Sequence, residues 1–210
     1  DAQESRGLGD VYKRQVFAAA GYAHIVVDPR GQGWGHPTLT ENCPDAHDGT
    51  GAPGFMTQSL SDPHGHYYRR LFTDAFRCLQ AAREMELVDP TRIAVLGHSQ
   101  GGGQAIAVCA LAAMRGIKLA GAFVDVPFLC HIRRSCDIAT DGPYLEVVRY
   151  LAAHPLLCGR AFQTLGYFDS LHFAPSGPNF YLVFSRDDGP SGTTVVSVGG
   201  IQRLGRRHGC

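Results

Sequence analysis

The sequence lacks several features that would assign it to other classes of protein. Its 210 residues carry no net charge, since 19 Lys and Arg balance 19 Asp and Glu, so bulk electrostatics do not draw the chain to nucleic acid or to an anionic membrane. No apolar run approaches the roughly eighteen residues that span a bilayer, and no signal peptide is visible. We therefore expect a cytoplasmic protein without a nucleic-acid or membrane partner.

The cysteines show no disulfide framework. They are Cys43, Cys78, Cys109, Cys130, Cys136, Cys158 and Cys210. Their number is odd and their spacing contains no CxxC pair, which favours reduced, mostly buried thiols over a disulfide scaffold.

One group of residues has the chemistry of metal ligands. His64 and His66 form an HxH pair beside Asp62, and further acidic and histidine residues lie at 45–48. No additional ligand spacing supports a metal site, so we interpret these residues as polar loop residues. The sequence predicts neither a metal nor a cofactor.

Along the chain, short apolar runs alternate with helical patterns. The predicted strands are Ile25–Asp28, Arg92–Gly97, Leu119–Val126 and Phe180–Ser185. The predicted helices are Tyr67–Leu87, Gln100–Arg115 and segments within 128–166 that are broken at Gly142-Pro143 and His154-Pro155. Strands that alternate with helices predict an α/β fold, a mostly parallel sheet covered on both faces.

A long segment rich in Gly, Pro and His runs from Gly31 to about His66. A loop of this length inside a compact domain is usually functional or an oligomer contact. Gly31, Gly33 and Gly35 follow a predicted strand, as the glycines of a dinucleotide-binding loop do. We reject that interpretation because the GxGxxG spacing is missing and no helix follows directly.

The stretch with the clearest chemistry is GHSQG, residues 97–101. It matches GxSxG and stands between a predicted strand and a predicted helix, where a nucleophile elbow belongs. Such a tight turn strains the backbone of Ser99 and requires Gly97 and Gly101 to lack a side chain. It lifts the Ser99 hydroxyl above the sheet and aims the Gln100 amide N–H at a reacting carbonyl. The motif predicts Ser99 as a catalytic nucleophile and Gln100 as an oxyanion donor.

The residues around this motif have simpler interpretations. Gly102 and Gly103 let the helix approach its neighbours closely, even if Ser99 were an incidental serine in a glycine-rich turn. His98 is interpreted as a packing residue. Asp125, at the end of a predicted strand, is a candidate for an alternative triad acid, although the proline nearby favours a structural role.

From about Val16 to Ser185 the sequence resembles the acetyl xylan esterase and cephalosporin C deacetylase family of α/β-hydrolases. The segments that carry the resemblance stand in the family's order: DPRGQGWG (28–35), PGFMT (53–57), YYRRLFTDA (67–75), GHSQGGGQA (97–105), DVPFLCHIRR (125–134) and LGYFDSLHFA (165–174). The resemblance implies an incomplete α/β-hydrolase fold and a Ser–Asp–His triad with Ser99 as nucleophile and Gln100 as oxyanion donor. It also implies that Arg30, Gly31 and Gln32 brace the active-site loops.

The resemblance further implies a carboxylic-ester hydrolase for small acetylated substrates, namely sugars and cephalosporins, and a homo-oligomer, a hexameric ring. Another hydrolase chemistry, such as a peptidase or a dienelactone hydrolase, is disfavoured by the long segment after Gly31 and by the RGQ motif. A non-catalytic hydrolase-like module that binds or assembles is the alternative from a different class.

The two ends of the sequence depart from the family pattern. We interpret residues 1–15 as a non-native leader, residues 16–185 as a partial hydrolase domain and residues 186–210 as a frame-shifted or disordered tail. In the family, the last strand ends in a Met-Asp pair, and two prolines and an Ala-Tyr-Asn helix follow. Codons permitted from Arg186 onward can yield these residues when they are read one base later.

The catalytic acid and base therefore have no clear equivalents. Asp187 and Asp188 lie close to the expected position of the triad acid. No His-Glu pair follows Ser99, and the histidine near the terminus, His208, lies in the tail. Without a base the serine hydroxyl stays protonated, so we expect negligible esterase activity from this protein.

Overall fold

A computed structural model describes residues 17–27, 29–32 and 54–173, together with the backbone of 180–183. The predicted leader and the whole predicted tail, with the candidates Asp187, Asp188 and His208, lie outside the described residues. The protein divides into two compact units. Unit 1 comprises Asp1–Gly54 and Arg77–Pro90, and unit 2 comprises Phe55–Phe76 and Thr91–Cys210.

Strands and helices alternate as the sequence predicts. In sequence order they are α1 (Tyr67–Arg83), β1 (Ala94–His98), α2 (Gln100–Met114), β2 (Gly121–Asp125), α3 (Ile132–Ile138), α4 (Gly142–Ala153), a 3₁₀ helix (Pro155–Leu157), α5 (Cys158–Gly166), α6 (Ser170–Phe173) and β3 (Phe180–Val183). The predicted breaks are confirmed, since α4 begins at Gly142 with a proline in its first turn and ends before Pro155. None of the helices in the described ranges has both the length and the hydropathy of a membrane span.

Among the residues that the structure describes, the three strands of unit 2 form a parallel sheet in the order β1-β2-β3. In its register Ala94 pairs with Gly121 and His98 pairs with Asp125. The carboxyl ends of β1 and β2 therefore lie side by side. This sheet confirms three of the four predicted strands and the α/β class.

The two faces of this sheet have different surroundings. The packed face carries Val95, Gly97, Ala122 and Val124, and the open face carries Leu96, His98, Phe123 and Asp125. On the packed face Val124 is buried against Ala105 and Ile106 of α2. On the open face Leu96 is 62% exposed and Phe123 is 39% exposed. In the described part of unit 2, therefore, helical cover lies against the packed face.

The main hydrophobic core of unit 2 lies among the helices. It contains Met56, Leu60, Tyr67, Tyr68, Leu71, Phe72, Ala107, Leu129, Ile132, Cys136, Val147, Leu151, Ala161, Leu165 and Phe168. Each large side chain buried in this way contributes about 1.5–3 kcal/mol. Met56 and Leu60 belong to the long segment after Gly31, so the described end of that segment is part of the core.

The predicted strand Ile25–Asp28 is wrong in its described part. Residues 25–27 of unit 1 have no strand conformation, and Ile25, Val26 and Val27 are 44%, 47% and 37% exposed. An apolar run becomes a strand only when a neighbouring strand pairs with its N–H and C=O groups. The sequence pattern shows the apolar run, but it does not show whether another strand lies beside it.

Candidate active site

Ser99 occupies a sharp bend between β1 and α2. Its backbone has φ 53° and ψ −116°, a conformation that residues with a side chain rarely adopt. Holding a residue in such a region costs about 1–3 kcal/mol and is common at functional sites. Ser99 is an exposed residue. The local geometry thus agrees with the predicted elbow, while the catalytic role of Ser99 stays a prediction.

The two glycines of the motif have different surroundings. A Cβ on Gly97 would overlap the backbone carbonyl carbon and oxygen of Gly101, so no side chain fits at position 97. A Cβ on Gly101 would meet nothing within 4 Å. The prediction that Gly101 must lack a side chain is therefore wrong: its backbone crowds Gly97, but its own Cβ would point into open space.

Gly102 and Gly103 bring α2 close to the backbone after β2, as predicted. A Cβ on Gly102 would lie 3.0 Å from both the Asp125 carbonyl oxygen and Pro127 Cα. A Cβ on Gly103 would overlap the Phe128 carbonyl oxygen. Since both contacts are with backbone atoms, side chains at these positions would push the helix away from the loop.

Backbone hydrogen bonds join the bend to the end of β2, to α2 and to the segment after β2. The Ser99 N–H donates to the Asp125 carbonyl oxygen over 3.0 Å. The Ser99 carbonyl accepts two bonds, from Gly103 N at 3.1 Å and from Phe128 N at 2.9 Å. Residue 99 is therefore fixed on both its N–H and its C=O side.

The segment that donates one of these bonds through Phe128 N, residues 126–131, is itself strained, and we call it the β2–α3 loop. Val126, Leu129 and His131 have φ angles of 35°, 62° and 53°. Such angles persist only where the surroundings over-determine the backbone. Leu129 shows how: its N–H donates to Tyr144 Oη at 2.9 Å, and its C=O accepts from Ser170 N at 2.7 Å.

Asp169 anchors the other end of the β2–α3 loop. Its carboxylate accepts the N–H groups of His131 and Ile132, both at 2.7 Å, at the start of α3. Asp169 is buried, and a carboxylate at a helix N-terminus is favoured by the helix dipole. Sequence reasoning missed this residue because no spacing rule links position 169 to position 131. Its one signal was membership of the segment LGYFDSLHFA.

His98 and Asp125 form a side-chain pair at the ends of β1 and β2. His98 Nδ1 lies 2.8 Å from Asp125 Oδ2, and the side chains are 67% and 26% exposed. The interpretation of His98 as a packing residue is therefore wrong, because its ring lies on the open face. Asp125 was considered as an alternative triad acid, with a structural role favoured. Its carboxylate is hydrogen-bonded to His98.

Gln100 is the first residue of α2. N–H groups in the first turn of a helix point towards its N-terminal end, where the helix dipole favours negative charge. The position thus suits an oxyanion donor. Arg30, Gly31 and Gln32 lie in unit 1, where the Gln32 N–H donates to the Pro29 carbonyl oxygen at 3.1 Å in a turn; that they brace active-site loops stays a prediction.

The HxH pair is divided between two environments. His66 is fully buried, and its ring stacks on Phe168 with a centroid distance of 4.8 Å. Burial lowers the pKa of His66 to about 4, so the ring is neutral at pH 7. His66 thus lies in a loop before α1, as predicted, but it is buried there. Within residues 17–27, 29–32 and 54–173, no three His, Cys, Asp or Glu side chains are grouped as metal ligands.

The cysteines of the described ranges are free thiols. Cys109 and Cys136 are buried, whereas Cys78, Cys130 and Cys158 are half-buried. Burial raises the pKa of Cys109 to about 12 and that of Cys136 to about 11. A thiolate is the reactive form, so neither of these two buried thiols is activated as a nucleophile at neutral pH.

A depression of about 570 Å³ lies elsewhere in unit 2. It is lined in part by Ser61, Arg160 and Tyr167, and Ser99 is not among its lining residues. An ester must contact the nucleophile in order to react. The depression is therefore not the acyl site of the elbow.

Comparisons with known proteins place these features in a family. A profile of the acetyl xylan esterase (AXE1) family matches residues 5–180. The structure is similar to that of the acetyl xylan esterase from Paenibacillus sp. R4, with a TM-score of 0.69 and 33% sequence identity, over 82% of this chain and 52% of that chain.

The structure is also similar to acetyl xylan esterase 1 from Thermoanaerobacterium sp. JW/SL YS485, with a TM-score of 0.65 and 23% identity, over 82% of this chain and 53% of that chain. This second likeness bears on the fold alone. The chain spans about half the length of both solved structures. The likenesses confirm the expected α/β-hydrolase fold in incomplete form, and the chain belongs to the acetyl xylan esterase family.

Proposed function

We propose that this protein carries the nucleophile of a carboxylic-ester hydrolase that removes acetyl groups through an acyl-serine intermediate. The observation that supports the proposal most directly is the backbone of Ser99. Ser99 has a positive φ, it stands between a parallel strand and a helix, and it is exposed. This is the geometry in which a serine hydroxyl can reach a bound carbonyl.

The reaction follows from the residues at the bend. Ser99 Oγ attacks the acetyl carbonyl while a base takes its proton, and the Gln100 N–H stabilises the negative charge on the carbonyl oxygen. The base returns the proton to the departing alcohol as the ester bond breaks, which leaves the acetyl group on Ser99. Water, activated by the same base, then releases acetate and restores the serine.

The proposed substrates are small acetyl esters of sugars or of cephalosporin type. The solved relative with 33% identity is named an acetyl xylan esterase, which supports an acetylated sugar as the first substrate to test. The bend alone does not form the walls that would contact the alcohol part of the ester. The bend itself therefore supports acyl transfer in general.

We further propose that the 210-residue protein turns over slowly. The sequence after Ser99 contains no His-Glu pair, and loss of the triad base removes several powers of ten in turnover. A second protein, in which the gene is read one base later from Arg186 onward, supplies the comparison.

The experiment assays both proteins with 4-nitrophenyl acetate and an acetylated xylo-oligosaccharide, and treats both with a fluorophosphonate probe. We expect the frame-shifted protein to hydrolyse the esters at least about 10³-fold faster than the 210-residue protein. Peptide mapping should find the probe on Ser99. Ser99→Ala should abolish labelling and turnover in both proteins.

Two results would contradict the proposal. Hydrolysis that survives Ser99→Ala would place the chemistry elsewhere. Binding of the oligosaccharide by both proteins, without labelling or turnover in either, would instead support a non-catalytic module.

A further inference from the structure

Asp125 contacts the bend in two ways. Its backbone carbonyl oxygen accepts the Ser99 N–H at 3.0 Å, and its carboxylate Oδ2 lies 2.8 Å from His98 Nδ1. One residue of β2 therefore holds both the nucleophile and the residue before it. His98 and Asp125 are also paired in the register of the sheet.

The pair formed by these two side chains is the last cross-strand contact before the backbone turns. After it, Ser99 leaves the strand with a positive φ. The backbone of residue 99 is then held by the Asp125 carbonyl oxygen on one side and by Phe128 N, at 2.9 Å, on the other. Movement of the end of β2 would loosen both bonds at once. A contact that joins the ends of β1 and β2 opposes that movement.

The pair contributes little to overall stability. Its side chains are 67% and 26% exposed, and exposed pairs of this kind have small effects on unfolding. If the pair positions the bend, its loss should alter the bend and leave the stability of the whole protein almost unchanged. If the pair stabilises the whole protein, its loss should lower that stability.

We propose that Asp125 is a positioning residue which, through its hydrogen bond to His98, holds Ser99 in the conformation needed for acyl transfer. This inference rests on the proposed function of Ser99. Asp125 acts through the backbone of the bend and does not touch the substrate. In the neutral ring, Nδ1–H donates to the carboxylate and defines the orientation of His98.

The experiment compares Asp125→Ala and Asp125→Asn with a matched control. Ala removes the acceptor, whereas the Asn amide oxygen still accepts from His98. The control is Asp137→Ala, which removes an exposed ion pair with Arg133, 3.6 Å apart and distant in sequence from the bend. None of these substitutions removes a backbone carbonyl.

Three quantities are measured on the 210-residue protein and on the frame-shifted protein. They are amide hydrogen exchange at Ser99 and Phe128, the rate of fluorophosphonate labelling at Ser99, and the melting temperature. Asp125→Ala should speed exchange and slow labelling by about tenfold, the effect of one charge-assisted hydrogen bond. Asp125→Asn should recover most of both losses. Asp137→Ala should change neither, and the melting temperature should stay within about 2 °C of the wild type.

The outcomes separate this inference from the proposed function. If neither wild-type protein is labelled, the proposed function fails, and exchange at Ser99 and Phe128 alone decides whether Asp125 positions the bend. If labelling occurs and Asp125→Ala alters neither labelling nor exchange, the inference is overturned and the proposed function stands. If Ala and Asn lower the melting temperature equally and by many degrees, Asp125 has a general structural role and the inference is also overturned.

Discussion

The packed and open faces of the sheet carry neighbouring residues of the same strands, yet they have opposite surroundings. Val124 is fully buried against α2, whereas Phe123, one residue earlier, is 39% exposed. On β1 the buried Gly97 follows Leu96, which is 62% exposed. Hydrophobicity does not separate the faces, because Leu96 and Phe123 are at least as apolar as Val124. The position of α2 separates them.

The packed face also constrains the bend. Gly97 lies on it, and α2 approaches so closely that the backbone of Gly101 fills the space of a Cβ at position 97. Close approach of the helix thus buries one face and forces the turn in which Ser99 is strained. The open face tolerates polar residues such as His98. Substitutions on the packed side should therefore have large effects, and substitutions on the open side small ones.

The largest effect is expected from Gly97→Ala. The added Cβ would overlap backbone atoms of Gly101, and only a shift of the bend or of α2 would relieve the overlap. We expect a loss of at least about 3 kcal/mol in the free energy of unfolding, measured by urea denaturation. Gly101→Ala is the matched control, where open space and better helix propensity should leave stability unchanged or raise it by up to about 1 kcal/mol. Equal losses in both variants would show that the bend is not packed as described.

A second large effect is expected from acid, through the helical core that contains His66. The folded pKa of His66 is about 4, against an ordinary value of 6.5. The unfolded state therefore binds this proton first, so stability is complete above pH 6.5 and falls as the pH decreases towards 4. The loss approaches about 3 kcal/mol. Urea denaturation at several pH values measures it.

His66→Leu provides the control for this pH dependence. The variant should be less stable at pH 7, because the ring accepts the Tyr68 N–H at 3.2 Å. It should also lose most of the decline between pH 6.5 and pH 4. An unchanged decline would assign the acid sensitivity to other groups.

A smaller effect is expected from Val124→Ala on the packed face. Val124 has no exposed surface, so truncation leaves a cavity and should lower the free energy of unfolding by about 2 kcal/mol. Thermal and urea denaturation measure the change. A loss below about 0.5 kcal/mol would mean that α2 closes over the gap and that the face is loosely packed.

The smallest effect is expected from Leu96→Ser on the open face. Because Leu96 is 62% exposed, stability should change by no more than about 0.5 kcal/mol. Removing exposed apolar surface should also reduce self-association, which light scattering coupled to size-exclusion chromatography would detect. A large destabilisation would show that Leu96 is covered in solution, and the contrast between the faces would disappear.

Local patterns predicted the bend well. The strand before Ser99, the helix after it and the crowding at Gly97 all follow from a short stretch of sequence, since neighbouring residues impose the geometry. Predictions that needed a distant partner fared worse. Residues 25–27 have the composition of a strand but no strand conformation. His66 lies in a loop as predicted, yet the sequence did not reveal that Phe168, about a hundred positions later, stacks on its ring.

The sequence by itself determined the family, the order of strands and helices from Tyr67 onward, and the strained turn at Ser99. These depend on contiguous residues, whose spacing sets backbone sterics and hydrophobic period. Only the tertiary structure decided that Gly101 has room for a side chain, that His98 pairs with Asp125, and that Asp169 caps α3. Each of these features depends on how packing places residues in space. Burial and hydrogen bonding depend on distance in space, whatever the separation in sequence.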